Sequence, residues 1–299
     1  MTDLNKLIFV DANPNAGFNF GYFINLNISN EDPIQLIGEC NNIYISESTE
    51  ETKQKTLRQI ENGGMVGRRL QNRIKNSALI VPCFIRPENL YTHSLTSQTL
   101  KTSRKNLDRI DKQFVAIIND SKKHLRMLGF KTNEQIIMTG FSASAKFAQR
   151  ITLLYPEQVS CVIAGGMSAI PCLPLETLNG YDLKFPLGTY DYEQLMNKKF
   201  DYKKFMSIPH YLFMGEKDTN DPLIYDICYT NEERNIIENL YHKDMKQRWG
   251  KMIEIMHQLG MTNVHTYLIK NAEHNTTGMF EVLDAHMEEI LKSGELSSS

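Results

Sequence analysis

The sequence predicts an α/β fold, in which helices cover both faces of a mostly parallel sheet. Three observations support this prediction. Short apolar runs alternate with longer amphipathic stretches along much of the chain, as expected when crossover helices join parallel strands. Runs such as 136–138 and 159–164 are almost wholly apolar and rich in β-branched residues, which is typical of strands buried on both faces. The run at 136–138 also turns directly into a helical pattern through the small residues at 140–144.

The first part of the chain contains predicted strands and one interrupted helix. Residues 6–10 and 20–26 have the composition of short strands, and 78–84 has that of a buried strand. A helical pattern begins at Ser48 and is interrupted by the glycine pair at 63–64. Because glycine disfavours a helix interior, we expect this helix to kink or split there.

A long polar loop at 88–103 follows the strand ending at residue 84. Loops beyond strand ends commonly form the walls of binding pockets. Tyr91 and His93 lie in this loop, and we interpret both as candidate substrate contacts; for His93, a capped loop residue is the alternative. Apolar residues at helical spacing from 107 to 128 then predict an amphipathic helix that leads into the strand at 136–138.

The regular alternation stops at 167–207, which is rich in proline, tyrosine and phenylalanine among charged residues. We interpret this segment as an insertion that either forms a lid over a site or packs on the surface of the domain. Strands are expected again at 210–214 and 264–269, with a long helix from 232 to 259 between them. A final helix should run from 279 to 291.

The turn at 140–144 has the pattern of a nucleophile elbow, G-x-S-x-small between a strand and a helix. Small neighbours permit a strained turn that lifts the serine hydroxyl clear of the sheet, and Ser142 occupies that position. The start of the helix also directs free backbone N–H groups towards charge that develops on a bound carbonyl. Ser144 stands where a second glycine is usual. The alternative interpretation is an ordinary strand-to-helix turn with a capping serine.

Asp218 and His274 also follow predicted strand ends directly. Because the carboxyl ends of parallel strands share one edge of a sheet, Ser142, Asp218 and His274 can meet there. Their order in the chain, serine, acid and then histidine, is the order of the hydrolase fold that uses a nucleophile elbow. Asp221 is an alternative acid, although its position before a proline suits a turn equally well.

With these residues identified, the chain resembles the α/β-hydrolase superfamily, on its serine esterase and lipase side, over nearly its whole length. Three segments carry a closer resemblance to a group of uncharacterised bacterial hydrolases. They are G-F-S-A-S at 140–144, G-x-x-D-T-N-D at 215–221 and P-x-F-x-R-P at 82–87. The resemblance implies an α/β-hydrolase fold, but none of the three segments fixes a substrate.

The resemblance also implies the roles of the site residues. Ser142 would attack an acyl carbonyl, His274 would accept and later return its proton, and Asp218 would hold the imidazole. The expected reaction is hydrolysis of a small or medium carboxylic ester through an acyl-enzyme, with no metal and no organic cofactor. The Ala143 backbone N–H would donate to the oxyanion, and a second donor would come from the loop at 13–17 after the first strand, either a backbone N–H or the Asn15 side-chain amide.

The totals restrict the class of protein further. The 33 basic and 35 acidic residues give a net charge of -2, so no global basic field favours nucleic acid. No apolar window is long enough to span a bilayer and no secretory signal is recognisable, so we expect a cytoplasmic location. The 5 cysteines are scattered, which favours reduced, partly buried thiols over a disulfide framework or a zinc site.

We predict a single domain over residues 1–292, with a disordered tail at 293–299. The expected partner is a small-molecule ester, while the oligomeric state is left open by the sequence. The alternative function, from a different class, is a non-catalytic binding module on the same fold. Ser144 favours this alternative, as does the lack of the His-Gly pair that many relatives carry after the early strand.

Overall fold

The computed structural model describes residues 4–29 and 33–290. An eight-stranded sheet forms the centre of the fold. The strands are β1 (Leu4–Val10), β2 (Tyr22–Ile28), β3 (Ile34–Glu39), β4 (Ser77–Pro82), β5 (Thr132–Phe141), β6 (Val159–Gly165), β7 (Thr177–Leu178), β8 (Tyr181–Asp182), β9 (His210–Gly215) and β10 (Val264–Ile269). The α-helices are α1 (Thr49–Glu61), α2 (Val66–Gln71), α3 (Ser97–Leu100), α4 (Ile110–Met127), α5 (Ala143–Leu154), α6 (Tyr192–Met196), α7 (Tyr202–Ser207), α8 (Asn231–Tyr241), α9 (Met245–Gln258) and α10 (Thr276–Ala285).

The strand order across the large sheet is β1-β2-β4-β3-β5-β6-β9-β10, and β7 and β8 form a separate ribbon. β2 is antiparallel to both β1 and β4, and the remaining neighbours are parallel. β5 lies between β3 and β6, with Gly38 opposite Met138 and Gly140 opposite Ala164. The carboxyl ends of β3, β5, β6, β9 and β10 therefore share one edge of the sheet.

Apolar side chains are buried on both faces of the sheet. Successive residues belong to opposite faces, as do Leu36 and Ile37 in β3 and Val162 and Ile163 in β6, because side chains alternate along a strand. α4, α5, α8 and α9 cover one face, and α1, α2 and α10 cover the other. The predicted fold class is confirmed. The cysteines are buried in this interior as free thiols.

β3 is the main element that the sequence analysis does not predict. Its apolar run is short and ends in Gly38 and Glu39, two residue types that are disfavoured in strands. The structure compensates for the buried Glu39 carboxylate, which accepts hydrogen bonds from the Gly67 backbone N–H at 2.6 Å and the Thr139 hydroxyl at 2.9 Å. β3 separates β4 from β5, so the loop that follows it adjoins the turn at 140–144.

Two predicted segments divide differently in the structure. The long helix predicted at 232–259 is two helices, α8 and α9, which separate at His242. The φ angle of His242 is 99°, a value that a continuous helix does not permit. The polar loop at 88–103 contains the short helix α3. The split predicted at the glycine pair 63–64 is present between α1 and α2.

The segment at 167–207 contains the β7–β8 ribbon, α6 and α7. Phe200 contacts Tyr192 and Phe205 with ring centroids 5.0 and 5.7 Å apart. The Tyr192 hydroxyl donates a hydrogen bond to the Leu154 carbonyl at the end of α5. These contacts show the surface packing that was one of the two interpretations of the segment, whereas its role as a lid stays a prediction.

The last described helix, α10, begins at Thr276. The Asn275 side chain caps it by accepting a hydrogen bond from the Thr277 backbone N–H at 3.1 Å. The tail predicted at 293–299 lies outside the described residues. Within the described ranges, none of the helices combines the length and apolar character that crossing a bilayer requires.

Candidate active site

The turn between β5 and α5 has the geometry of a nucleophile elbow. Ser142 stands between Phe141, the last residue of the strand, and Ala143, the first residue of the helix. Its φ and ψ are 61° and -118°, a combination that is strained for a residue with a side chain. Such strain is a recognised property of the serine in a nucleophile elbow. The backbone therefore distinguishes Ser142 from an ordinary capping serine.

Two neighbours make this turn sterically feasible. A Cβ atom on Gly140 would lie 2.3 Å from the carbonyl carbon of Ser144, so only glycine fits at position 140. The Ser144 hydroxyl lies 2.9 Å from both the backbone nitrogen and the carbonyl oxygen of Phe141. It accepts a hydrogen bond from the former and donates one to the latter. Ser144, which stands where glycine is usual, thus stabilises the end of β5 through these two hydrogen bonds.

Asp218 and His274 meet at the adjacent ends of β9 and β10. The Nδ1 atom of His274 lies 2.8 Å from Oδ2 of Asp218, and the other carboxylate oxygen accepts the Asn220 backbone N–H at 2.9 Å. Because an ionised carboxylate can only accept, the Nδ1 atom must carry the proton of the neutral imidazole. Nε2 is then the unprotonated nitrogen that can act as a base. Asp218 is only 4% exposed, which strengthens this interaction.

The imidazole of His274 lies beside the elbow. Its ring centroid is 4.8 Å from that of Phe141, and a Cβ atom on Gly166 would lie 2.9 Å from its Cε1 atom. The Ser142 backbone N–H donates to the Gly165 carbonyl at 2.8 Å, so both of these contacts adjoin Ser142. Within the described residues, no hydrogen bond joins the Ser142 hydroxyl to the imidazole. The three predicted groups thus lie at one edge of the sheet, and the hydrogen bond between them that the structure shows joins Asp218 and His274.

Asp221, the alternative acid, has a different partner. Both of its carboxylate oxygens accept hydrogen bonds from the Arg248 guanidinium, at 3.1 and 2.8 Å. Arg248 is fully buried and also donates to the carbonyl oxygens of Ser168 and His242. Asp221 therefore anchors the loop that carries Asp218, and of the two acids it is Asp218 that contacts His274.

The expectation for Asn15 needs correction. Asn15 is exposed in the loop after β1, and β2, β4 and β3 lie between β1 and β5. At the usual spacing of neighbouring strands, this places the end of β1 about 19 Å from the end of β5. Asn15 is therefore too remote to donate to an oxyanion at Ser142. Ala143 is the first residue of α5, and its backbone N–H lacks an acceptor within the helix.

The loop after β3 occupies the position expected of the loop after β1. The Asn42 side-chain amide donates to the Phe141 carbonyl at 3.4 Å, directly before Ser142. Arg86 fixes the far side of this loop through two backbone hydrogen bonds with Ser46, each 2.9 Å long, and a side-chain bond to the Ile43 carbonyl. The sequence alone does not indicate Asn42, because the pattern of β3 is too weak to place a strand before it.

The predicted loop residues Tyr91 and His93 have different environments. Tyr91 lines a cavity of about 650 Å³ that also includes Ser142, and the Arg86 guanidinium lies 4.0 Å from the centre of its ring. His93 is fully buried, and its Nε2 atom bonds to the Phe84 carbonyl at 2.7 Å. Burial lowers the pKa of His93 to about 4, so the ring stays neutral. Of the two interpretations of His93, the structure therefore shows the capped loop residue and not the substrate contact.

One further residue of this cavity was not identified from the sequence. Lys146 lies one helical turn after Ser142 and lines the same cavity. It is only 7% exposed, and burial lowers its pKa to about 8. The spacing of four residues from the candidate nucleophile is visible in the sequence, but its burial depends on the tertiary structure. The remaining lining residues are Tyr44, Ile45, Arg86, Asn220, Pro222, Tyr225, Ile227 and Cys228.

Comparison with solved structures identifies the fold as the α/β-hydrolase fold. No protein-family model matches the chain, and no curated protein matches it significantly in sequence. The chain is similar to poly(aspartic acid) hydrolase-1 from Sphingomonas sp. KT-1, with 13% identity and a TM-score of 0.57 over 95% of this chain and 98% of that one.

Two further structures support the same fold. One is a poly(3-hydroxybutyrate) depolymerase from Bordetella parapertussis, with 13% identity and a TM-score of 0.55 over 97% of this chain and 94% of that one. The other is a ferulic acid esterase, with 10% identity and a TM-score of 0.52 over 98% of this chain and 100% of that one. The resemblance proposed from the sequence is confirmed for the fold.

Proposed function

We propose that this protein is a serine hydrolase that cleaves a small or medium carboxylic ester through an acyl-enzyme. The observation that carries the proposal is the Asp218–His274 hydrogen bond of 2.8 Å at the sheet edge where the strained Ser142 turn lies. A buried carboxylate fixes the tautomer of the histidine, and a serine at a strained elbow is exposed to a substrate. A chance cluster of polar side chains would not require such a backbone.

In the acylation step, rotation about the Ser142 Cα–Cβ bond brings its hydroxyl to Nε2 of His274. The hydroxyl proton moves to Nε2 as the oxygen attacks the ester carbonyl, and Asp218 stabilises the resulting imidazolium. The Ala143 N–H donates to the oxyanion, where one donor is worth about 10²–10³ in turnover. The proposed source of a second donor is the loop after β3, next to Asn42. Collapse of the tetrahedral species releases the alcohol, which takes the proton from His274.

Deacylation repeats the same proton transfers with water. His274 removes a proton from a water molecule as the water oxygen attacks the acyl-enzyme carbonyl. The second tetrahedral species collapses with cleavage of the bond to the Ser142 oxygen. The imidazolium returns its proton to that oxygen, so the enzyme is regenerated and the carboxylic acid is released. These steps involve the side chains already present at the site.

The choice of an ester bond rests on the structural neighbours as well as on the site. A depolymerase of poly(3-hydroxybutyrate) and a ferulic acid esterase share the fold over nearly the whole chain. The poly(aspartic acid) hydrolase shows that the same fold also serves another type of polymer. Because one fold hosts several chemistries, these names support the proposal without deciding the substrate.

A non-catalytic binding module is the second candidate function. It is favoured by one observation, that no hydrogen bond joins the Ser142 hydroxyl to the imidazole within the described residues. Catalytic hydrogen bonds are, however, commonly long or unformed before a substrate binds. The binding module would require this separation to persist during exposure to a substrate analogue.

A fluorophosphonate probe tests the two functions directly. The native protein, Ser142→Ala and His274→Ala are each treated with the probe, and intact mass is measured over time. A serine hydrolase should gain one adduct, lose it in Ser142→Ala and gain it much more slowly in His274→Ala. Ser103→Ala, at an exposed position, and His286→Ala, at a half-buried position just after α10, are the matched controls and should be labelled like the native protein. A native protein that remains unlabelled would support the binding module.

A further inference from the structure

Lys146 is a buried cation that faces the same cavity as the candidate nucleophile. It is 7% exposed, and it lines the cavity of about 650 Å³ together with Ser142. Within the described residues, its ammonium group forms no hydrogen bond and no ion pair with another side chain. Buried lysines are ordinarily paired, because an uncompensated charge in the interior is costly. An unpaired ammonium in a cavity is therefore a group that a ligand can satisfy.

Other cationic groups lie in or near the cavity that Lys146 lines. Lys146, Arg150 and Arg86 all act on the thiol of Cys228, which lines the same cavity. Arg150 is 2% exposed, and it donates to the Ser94 carbonyl and the Tyr229 hydroxyl, which are both neutral groups. The guanidinium of Arg86 lies over a tyrosine ring. Arg86 and Lys146 thus place two positive charges in the cavity lining, and Arg150 adds a third that acts on the same thiol, without a neutralising partner among these contacts.

The nearby acids are already engaged elsewhere. Asp218 and Asp221 are the two carboxylates that act electrostatically on Lys146. Asp218 is bonded to His274, and Asp221 is paired with Arg248. Neither acid lines the cavity, and among the described residues no carboxylate belongs to its lining. The cavity therefore has an excess of positive charge beside Ser142.

We propose that Lys146 binds a carboxylate of the substrate, so that the preferred ester carries a negative charge on its acyl or alcohol part. This inference rests on the proposed hydrolase function and narrows its substrate class. A carboxylate at Lys146 would supply the missing acceptor, and charge-assisted hydrogen bonds are stronger than neutral ones. The positive charge of Arg86 and Arg150 would add long-range attraction for the same anion.

The electrostatics of the site agree with this role. Burial lowers the pKa of Lys146 to about 8, so the amine is still mostly protonated near neutral pH. Its position one turn after Ser142 also suits a substrate that spans both groups. A neutral ester, by contrast, would leave the ammonium without a partner in the complex, which costs binding energy.

Matched ester pairs measure the preference and distinguish its two sources. For a charge on the acyl part, p-nitrophenyl hydrogen glutarate is compared with p-nitrophenyl valerate, which has the same chain length. For a charge on the alcohol part, p-acetoxybenzoate is compared with p-acetoxybenzamide. The native protein should show a higher kcat/KM for the anionic member of at least one pair. In Lys146→Met this ratio should fall about 10- to 100-fold, as expected when a charge-assisted hydrogen bond is lost.

Lys122→Met is the matched control, because Lys122 is also 7% exposed but lies on α4, where its ammonium bonds to the Glu134 carbonyl. It should leave the ratio at its native value. If the native protein hydrolyses the neutral esters without preferring either anionic one, or if Lys146→Met keeps the native ratio, the inference is overturned while the hydrolase function stands.

A binding measurement covers the case in which no ester is cleaved. Glutarate should raise the Tm of Ser142→Ala, and the double variant Ser142→Ala, Lys146→Met should lose this increase. Such a loss would support the anion subsite even if fluorophosphonate labelling had failed and the hydrolase function with it. Glutarate that stabilises neither variant, or both equally, would overturn the subsite.

Discussion

The Nδ1 atom of His274 lies 2.8 Å from Oδ2 of Asp218, although 56 residues separate the two in the chain. The contact exists because β9 and β10 are adjacent and parallel, with Ile269 opposite Gly215, so the loops after both strands emerge side by side. It fixes which nitrogen of the ring carries the proton. The acid and the base are therefore oriented by the sheet itself, before any substrate is bound.

Asp218→Asn should greatly reduce ester hydrolysis while preserving the fold. An asparagine can present its amide nitrogen or oxygen to the ring, and it cannot stabilise the imidazolium. We expect kcat to fall by about 10³–10⁴. Asp221→Asn is the matched comparison, since it removes a carboxylate three residues away whose partner is the buried Arg248. It should lower the Tm more than Asp218→Asn does, because it leaves a buried charge unpaired. Equal activities of the two variants would exclude Asp218 as the acid.

Ser142→Gly should be more stable than Ser142→Ala by about 1 kcal/mol. Both variants lack the hydroxyl, so both should be inactive, and they differ mainly in the backbone cost of φ 61° and ψ -118°. Glycine reaches this region readily, whereas alanine retains the strain. Urea unfolding of the two variants measures the difference. If the free energy of unfolding of Ser142→Ala equalled or exceeded that of Ser142→Gly, the turn at 142 would not be strained in solution.

Asn42→Ala should slow turnover, and Asn15→Ala should not. The Asn42 amide donates to the Phe141 carbonyl next to Ser142, while Asn15 is exposed at the far side of the sheet. We expect kcat to fall at least about 10-fold in Asn42→Ala, because the loop that we propose as the source of the second oxyanion donor would lose its contact with the elbow. Steady-state kinetics on one ester compare both variants with the native protein. A larger effect at Asn15 would restore the assignment made from the sequence.

Lys146→Met should stabilise the protein near neutral pH. The pKa of Lys146 is lowered from 10.5 to about 8 in the folded state, so folding opposes its protonated form. The resulting loss in the free energy of folding is about 3 kcal/mol below pH 8, and it disappears as the pH rises towards 10.5. The gain from the substitution should shrink in the same direction. The other titratable or charged groups that act on this amine are Cys228, Arg150, Asp221 and Asp218.

Denaturant unfolding at pH 7 and pH 10 measures this gain. Lys123→Met, at an exposed position on α4, is the control and should show no comparable gain. A Lys146→Met variant that is less stable than the native protein at pH 7 would mean that the ammonium has a structural partner. Combined with the loss of selectivity for anionic esters, the predicted result would show that the lysine is retained for binding at the expense of stability.

The sequence predicts the elbow and the strand ends because these depend on local patterns. The residue types at 140–144 fit one sharp turn, and Asp218 and His274 each follow an apolar run that is clearly a strand. β3 is not predicted from the sequence, because Gly38 and Glu39 weaken its strand pattern. The segment forms a strand because it lies between β4 and β5 and because the Glu39 carboxylate accepts hydrogen bonds there.

The errors at the site follow from missing β3. Without it, the loop after β1 is the nearest early loop to the elbow, and Asn15 becomes the apparent donor, whereas the proposed source of that donor is the loop after β3. His93 cannot be assigned from the sequence, because its burial against Phe84 depends on how the loop folds back. The same holds for Lys146, whose lack of a partner emerges only when distant segments enclose it.

Arg248 forms hydrogen bonds with three segments that are distant from one another in the sequence. Its guanidinium bonds to Asp221, to the Ser168 carbonyl at the start of the 167–207 segment, and to the carbonyl oxygens of His242 and Lys243 at the junction between α8 and α9. The Arg248 side chain thus connects three loops to helix α9, to which it belongs. The position of the loop that carries Asp218 therefore depends on Arg248, and replacing this arginine should displace all three loops together.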